Sequence, residues 1–273
     1  MARKNFADVL REERIDIWEE YLKLFRMFYT EGGNGLRIVC EDYFLNYHFR
    51  GICLDLDEFE EKYDYRFTTY KPVFNMDYFI RFCEFTYNLA LYLITSNSLY
   101  RRFKELYLKQ IDLIIEKIGY MKSQDKEMKV FIFIPKCQEA IAVSEIIDPS
   151  VSYKTIEYNH HSMKGDLKRK KDTILKFADL LEARRQELKS VSSSLEQLVF
   201  SLFNNINIRH NNSDPQSGKY HKFVAAMSDE ELENWYDETY QLCLMCFLEM
   251  DNVERKRKIR ELNEKIRNAD HSA

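Results

Sequence analysis

Glycine and proline are scarce in this sequence, which holds only 7 glycines and 4 prolines in 273 residues. Average usage is roughly 7% glycine and about 5% proline, and both residues mark turns. A chain with so few of them has few turns and long elements, which favours a mainly helical fold. Length alone does not fix the domain count, since it suits one large domain or two ordinary ones.

An excess of basic residues is also missing. Lys and Arg number 41 against 45 Asp and Glu, which leaves a formal charge of −4. This balance excludes the global basicity of a dedicated nucleic-acid coat protein, so any binding of nucleic acid must be local. With 45% hydrophobic and 32% charged residues, the composition indicates a water-soluble protein with a substantial core and excludes disorder for most of the chain.

Long apolar runs are absent too. None approaches the roughly 18–20 residues that span a bilayer. The first residues run into the charged stretch Arg11–Arg14 without the apolar core of a signal peptide. The 6 cysteines lie in apolar or mixed stretches of a chain that is long enough to fold without disulfide bonds, so they predict reduced thiols. We therefore expect a cytoplasmic protein with no membrane partner.

Apolar residues at three- and four-residue spacings predict helices along the N-terminal half of the chain. One helix is predicted at residues 6–29, and two more at Asp77–Thr95 and Leu99–Lys122. Residues 42–75 are rich in tyrosine and phenylalanine without a clear period, which predicts irregular structure with short helices. We expect residues 1–125 to form an N-terminal helical region.

The strongest strand signal is Lys129–Ile134, a run of β-branched and aromatic residues ended by Pro135. A second short extended piece is predicted near Tyr153–Tyr158, with one short helix at Gln138–Ile147 between them. Together these patterns predict a small α/β insert at residues 126–158.

The C-terminal part, residues 159–273, is predicted to be a helical domain. A continuous apolar stripe runs from Leu167 to Leu202, with three serines at Ser192–Ser194 marking a break. A polar stretch follows, and Ser228 with Glu231 forms a capping box that starts a further long helix. The predicted fold is therefore a mainly α helical bundle with a long C-terminal antiparallel helical hairpin and the small α/β insert.

The polar connection of this hairpin carries the candidate chemistry, Arg209, His210 and His221. Arginine supplies a fixed fork of donors for a phosphate, and histidine titrates near neutrality and can move protons to and from a ribose hydroxyl and a leaving oxygen. Neighbouring amides are candidate RNA contacts: Asn205, Asn211 and Asn212. The alternative is that these are ordinary loop residues and that Asn207 and Arg209 merely cap the preceding helix.

An arginine followed by a polar residue and then a histidine, between two long antiparallel helices, resembles the motif of the HEPN superfamily. That superfamily contains metal-independent RNases of toxin–antitoxin, abortive-infection and CRISPR-associated systems. Arg209 matches the arginine, His210 the polar second position, and His221 is the nearest candidate for the closing histidine. The family places fewer residues between the two than the 11 found here. His221 fits if Asn212–Lys219 is an inserted loop; otherwise His210 itself faces the active centre.

The resemblance covers roughly residues 160–267. It implies an endoribonuclease of a bacterial phage-defence or toxin system that forms a homodimer and needs no metal or other cofactor. It also implies a partner protein such as an antitoxin or sensor. Arg209 would stabilise the scissile phosphate while a histidine assists the 2′-hydroxyl or protonates the leaving group. Some members of the superfamily have lost activity, so the second hypothesis is a non-catalytic helical module that dimerises or binds a partner protein or RNA.

Positive charge is local in this half of the chain. Lys164, Lys168 and Arg169 begin one basic cluster and are candidate RNA contacts. A second cluster spans residues 254–267, where seven basic and three acidic residues leave a net charge of +4. The alternative is that both are solvated helix surfaces with Glu–Lys pairs. The adjacent His160 and His161 lack the spacing of a metal-binding pair, and we expect no metal site.

Overall fold

A computed structural model describes residues 15–29, 35–94, 98–125 and 128–270, and most of this backbone is α-helical. The chain divides into two compact units, Met1–Pro135 and Lys136–Ala273. Each unit has a hydrophobic core of its own. The predicted mainly α helical bundle is therefore confirmed. None of the helices in the described ranges has the length and apolar content needed to cross a membrane.

The N-terminal unit packs helices around a core rich in aromatic rings. The helix Met76–Leu93 is buried on most of its surface because the other helices surround it, and the Asn75 side chain caps it by accepting a hydrogen bond from the Tyr78 N–H. Residues 6–14 of the first predicted helix lie outside the described residues. The elements are α1 (Ile17–Tyr29), α2 (Leu36–Asp42), α3 (Leu56–Lys62), α4 (Met76–Leu93), α5 (Ser98–Lys117), β1 (Tyr120–Gln124) and β2 (Phe131–Pro135).

The two strands pair in antiparallel fashion, with Tyr120 opposite Pro135 and Gln124 opposite Phe131. The predicted strand is confirmed as β2, and the Asn88 side chain of α4 fixes its start by hydrogen bonds to both the N–H and the carbonyl of Phe131. The prediction that a helix continues to Lys122 is wrong. Gly119 adopts a positive φ of 81°, which ends α5 and lets the chain turn into β1.

The second extended piece predicted near Tyr153–Tyr158 is also wrong, since most of it lies in a helix, Pro149–Glu157. The Asp148 side chain caps that helix and Pro149 occupies its first turn, where proline is pre-organised for a helix. The region predicted as one α/β insert is divided between the two units, since β2 belongs to the first and this helix to the second.

The C-terminal unit is a helical bundle joined by short turns and one long polar loop. The sequence favours this arrangement because side-chain caps start several helices, for example Asp166 and Ser192. Its elements are α6 (Gln138–Ile146), α7 (Pro149–Glu157), α8 (Leu167–Ala183), α9 (Arg185–Val191), α10 (Ser193–Asn205), α11 (Lys222–Ala225) and α12 (Asp229–Asp270).

The first limb of the predicted hairpin is three helices rather than one. Lys170 pairs with Asp237, and Phe177 packs on Tyr240 and Phe247, so α8 and α12 run parallel. The chain reverses through α9, and α10 returns in the opposite direction. The antiparallel hairpin is therefore formed by α10 and α12.

The last part of α12 extends beyond the bundle. Met250 is its last buried residue, and every described side chain from Arg255 to Asn268 is exposed. We call residues 251–270 the arm.

Candidate functional site

The loop between α10 and α11 is organised by two asparagines. The side-chain oxygen of Asn212 accepts a hydrogen bond from the Asn207 N–H at 2.8 Å, and the Asn207 side chain accepts one from the Asn212 N–H at 3.0 Å. Asn207 adopts a positive φ of 64°, a conformation that asparagine tolerates better than most residues. The two side chains close a tight loop that carries Arg209 and His210.

Asn212 holds the loop from inside. Its side chain is fully buried, and its amide also donates to the carbonyl oxygens of Asn204 at 3.0 Å and Lys219 at 2.7 Å. Every polar atom of the amide is used within the loop, so the folded loop offers no Asn212 group to RNA. Asn205 and Asn211 are exposed, and each makes a hydrogen bond to a nearby serine.

Arg209 joins the loop to α8. Its guanidinium donates to the Glu182 carboxylate at 2.7 Å and to the Ala178 carbonyl at 2.9 Å. It also lies 5.3 Å from the ring centre of Phe200 and 5.2 Å from that of Phe203. The side chain retains 20% exposure, and the hydrogen bond from Arg209 lowers the pKa of Glu182. The backbone N–H of Arg209 donates to the Phe203 carbonyl and caps α10, as the alternative interpretation of the sequence expects.

The two histidines reach this loop in different ways. His210 follows Arg209 directly and is half-buried. His221 is exposed and lies 11 positions later, yet its backbone N–H donates to the Asn212 carbonyl at 2.8 Å. Residues 213–220 therefore leave and re-enter the loop at one point, so we call them the excursion. This hydrogen bond is the closed base of the excursion. It places the backbone of His221 beside Asn212, which lies three residues after Arg209.

A second polar site lies where α7 ends and where α8 and α12 begin. It contains a cavity of about 490 Å³. Its charged centre is Lys170, whose Nζ lies 2.8 Å from a Glu233 oxygen and 2.6 Å from an Asp237 oxygen, with the side chain 7% exposed. Tyr158 stacks on Tyr240 with ring centres 3.9 Å apart, which forms the cavity's apolar wall.

The predicted basic contacts lie around this cavity. Lys164 lines it and is exposed, and Lys168 is exposed in the first turn of α8. Arg169 pairs with Glu157 at 2.7 Å. His160 caps the short turn at His161–Met163, since its side chain accepts a hydrogen bond from the Ser162 N–H.

The cavity and the Arg209 loop are separate places on the unit. Arg209 contacts Ala178 and Glu182, which lie 8 and 12 residues beyond Lys170 on α8. At about 1.5 Å of rise per residue, the two places are roughly 12–18 Å apart along that helix. The structure therefore does not bring Lys164 and Arg209 into one cleft.

Two functional features escaped the sequence interpretation. Glu182 lies 27 positions from Arg209, so no local pattern connects them. The Lys170 group was hidden inside a basic cluster, although Glu233 and Asp237, four residues apart on a helix, do share one face and could have indicated a partner. Considering the described residues of either unit alone, His, Cys, Asp and Glu side chains form no cluster of three that could hold a metal ion.

The chain matches no protein-family model, no curated protein and no solved structure.

Replacing Arg209 with alanine is expected to lower the free energy of unfolding by about 2 kcal/mol. The variant loses a charge-assisted hydrogen bond to a carbonyl, a partly exposed ion pair and two contacts with aromatic faces. Urea unfolding followed by circular dichroism measures the change. The matched control is Arg257→Ala, whose ion pairs with Glu254 and Glu261 lie on an exposed helix, for which about 0.5 kcal/mol or less is expected. Equal effects of the two changes would contradict this role for Arg209.

Proposed function

We propose that this protein is a metal-independent endoribonuclease with Arg209, His210 and His221 at its centre. The observation that carries the proposal is the closed base of the excursion, where the His221 N–H donates to the Asn212 carbonyl. This hydrogen bond joins the two ends of residues 213–220. If those residues are left out of the count, His221 follows Arg209 at a short spacing. This supports the inserted-loop form of the HEPN-like motif.

The chemistry of these residues suits RNA cleavage. Arginine binds carboxylate and phosphate through the same fork of donors, so a scissile phosphate can take the place of the partly exposed Glu182 carboxylate on Arg209. One histidine then accepts the proton of the ribose 2′-hydroxyl and the other protonates the leaving 5′-oxygen. These steps need proton transfer and charge stabilisation only.

The proposed RNA contacts are polar and basic side chains that are exposed in the structure. Asn205 and Asn211 present amides beside the Arg209 loop, while Lys164 just before α8 and Lys168 in its first turn present positive charge. An RNA strand that contacts both must run along that helix. From the HEPN resemblance we also propose a homodimer, a role in phage defence or toxicity, and an antitoxin or sensor as partner protein. The proposed cytoplasmic location comes from the sequence composition instead.

The test is cleavage of a mixed RNA pool by the purified protein in EDTA. We expect cleavage by the wild type and a loss of at least about 100-fold in His210→Ala and in His221→Ala, since general acid–base groups contribute about 10²–10⁴-fold. His48→Ala is the matched control, because His48 is an exposed histidine of the N-terminal unit and its loss leaves the loop intact. Cleavage that persists unchanged in both histidine variants would refute the proposal.

A non-catalytic interaction module is the second candidate, and the contacts of Arg209 favour it. Its guanidinium is already engaged by Glu182, by the Ala178 carbonyl and by two aromatic rings. Under this candidate the wild type binds RNA in a mobility-shift assay, or captures a partner, without cleaving RNA under any condition. The same protein preparation and RNA pool therefore separate the two candidates.

A further inference from the structure

The arm is a helix without a packed face. Its described side chains from Arg255 to Asn268 are exposed, yet it carries three large aliphatic residues. Ile259 and Leu262 are each 56% exposed and Ile266 is 50% exposed. A lone helix of this length is only marginally stable in water, and three exposed aliphatic residues at helical spacing form a face that a partner would cover.

The aliphatic residues share one narrow face. At about 100° of rotation per residue, Ile259, Leu262 and Ile266 fall within an arc of roughly 60°. Basic residues flank this arc on both sides: Lys256, Arg260 and Arg267 on one, and Lys258 and Lys265 on the other.

Between Glu254 and Arg267 the acidic residues lie on the opposite side of the arm, while Asp251 and Asp270 lie at its two ends and Asp251 pairs with Arg255. Glu254, Glu261 and Glu264 project away from the aliphatic face, and Arg257 among them pairs with the first two. Between the two ends of the arm, negative charge is thus turned away from the aliphatic face, and much of it is neutralised within the helix. The side that remains for a partner is aliphatic at its centre and cationic at both edges.

This arrangement of aliphatic and basic residues distinguishes among the possible partners of the arm. A second copy of the arm would set lysine against lysine, and the heptad positions before Ile259 are Asn252 and Arg255, so the aliphatic seam is too short for a coiled coil. An RNA backbone would use the basic edges and leave the aliphatic centre in water. An anionic bilayer surface uses both, because aliphatic side chains enter the acyl boundary while Lys and Arg reach the headgroups.

We infer that the arm is an interfacial helix that binds the surface of an anionic lipid bilayer. It lies along that surface and does not cross it. The inference is independent of RNA cleavage, because the arm begins beyond the last buried residue of α12 and is 30 or more positions from His221 in sequence.

The test is flotation of the full-length protein with vesicles of phosphatidylcholine alone or with phosphatidylserine. We expect binding to the phosphatidylserine vesicles only, weakened by salt. Arg260→Ala and Lys265→Ala should each reduce binding about fivefold. Leu262→Glu should abolish measurable flotation. Met245→Glu is the matched control, since Met245 lies on the same helix outside the arm and is 52% exposed.

Three outcomes would overturn the inference: no flotation with either vesicle, equal flotation with both, or unchanged flotation of Leu262→Glu. If Leu262→Glu instead alters the mobility shift of RNA without affecting flotation, the partner of the arm is RNA. The circular dichroism spectrum of each variant confirms that the bundle is folded. RNA cleavage by Leu262→Glu in solution should equal that of the wild type.

Discussion

Replacing Lys170 with methionine is expected to lower the free energy of unfolding by about 3 kcal/mol, at the lower end of the cost of breaking a buried ion pair. The ammonium group of Lys170 is held by Glu233 and Asp237 and lies 5.4 Å from the ring centre of Tyr158. Without it, two neighbouring carboxylates repel each other at a site that water only partly reaches. Asp237 is 46% exposed, which places the cost near the lower end of that range.

Urea unfolding of the full chain measures this change, and Lys168→Met is the matched control. Lys168 lies on the same helix but is exposed, so its replacement should cost about 0.5 kcal/mol or less. In a background that carries Glu233→Gln, Lys170→Met should cost less, because one of the stranded charges is gone. If Lys170→Met and Lys168→Met lower the free energy of unfolding equally, Lys170 does not stabilise the fold through its ion pairs.

Acid should reduce the difference between the wild type and Lys170→Met. Burial alone would raise the pKa of Glu233, but hydrogen bonds from Lys170 and from the Gly165 N–H outweigh it and lower the pKa below the ordinary 4.5. A carboxyl group with a lowered pKa in the folded state stabilises the fold above its ordinary pKa, and this contribution is lost as the pH falls below that value. The wild-type advantage should therefore be full at neutral pH and shrink below about pH 4.5.

Replacing Asn212 with alanine should cost about 3 kcal/mol, since the variant loses three hydrogen bonds and leaves their backbone partners inside the loop. Those partners are the Asn207 N–H and the carbonyl groups of Asn204 and Lys219. The same change should reduce the proposed RNA cleavage, because the loop that carries Arg209 and anchors His221 loses its internal support. The free energy of unfolding and the rate of RNA cleavage thus give two separate measurements on the Asn212→Ala variant.

Asn211→Ala is the control for this prediction. Asn211 is adjacent in sequence but exposed, and its side chain accepts a hydrogen bond from Ser213. Its replacement should change the free energy of unfolding by about 0.5 kcal/mol or less. If Asn212→Ala is as mild as Asn211→Ala in urea unfolding, the buried amide does not hold the loop together.

Local patterns in the sequence predicted those parts of the fold that depend on neighbouring residues. Periodic apolar residues located the helix α4, and a β-branched run located β2. The segment near Tyr153 was misread because its β-branched and aromatic residues favour a strand, whereas the Asp148 cap and Pro149 start a helix. The strand β1 was missed because the helical period continued across Gly119, where the chain turns.

The direction of the helices and the contacts of the loop could not be predicted in this way. Whether α8 lies parallel or antiparallel to α12 depends on how the chain reverses through α9, which is decided by packing of the whole unit. The same holds for Arg209, whose partners Ala178 and Glu182 come from a helix two elements earlier. Residue types identified the candidate loop, but only three-dimensional contacts distinguish the buried Asn212 from the exposed Asn211.

The closed base of the excursion makes residues 213–220 a replaceable segment. Because the Asn212 carbonyl and the His221 N–H already join its two ends, its length is nearly uncoupled from the position of either histidine. Doubling a flexible loop costs only about 0.6 kcal/mol of closure entropy. Insertions and deletions can therefore accumulate between Ser213 and Tyr220 during evolution at little energetic cost. A fixed-gap sequence pattern drawn from one length would miss chains with another, whereas a pattern counted through the hydrogen bond would include them.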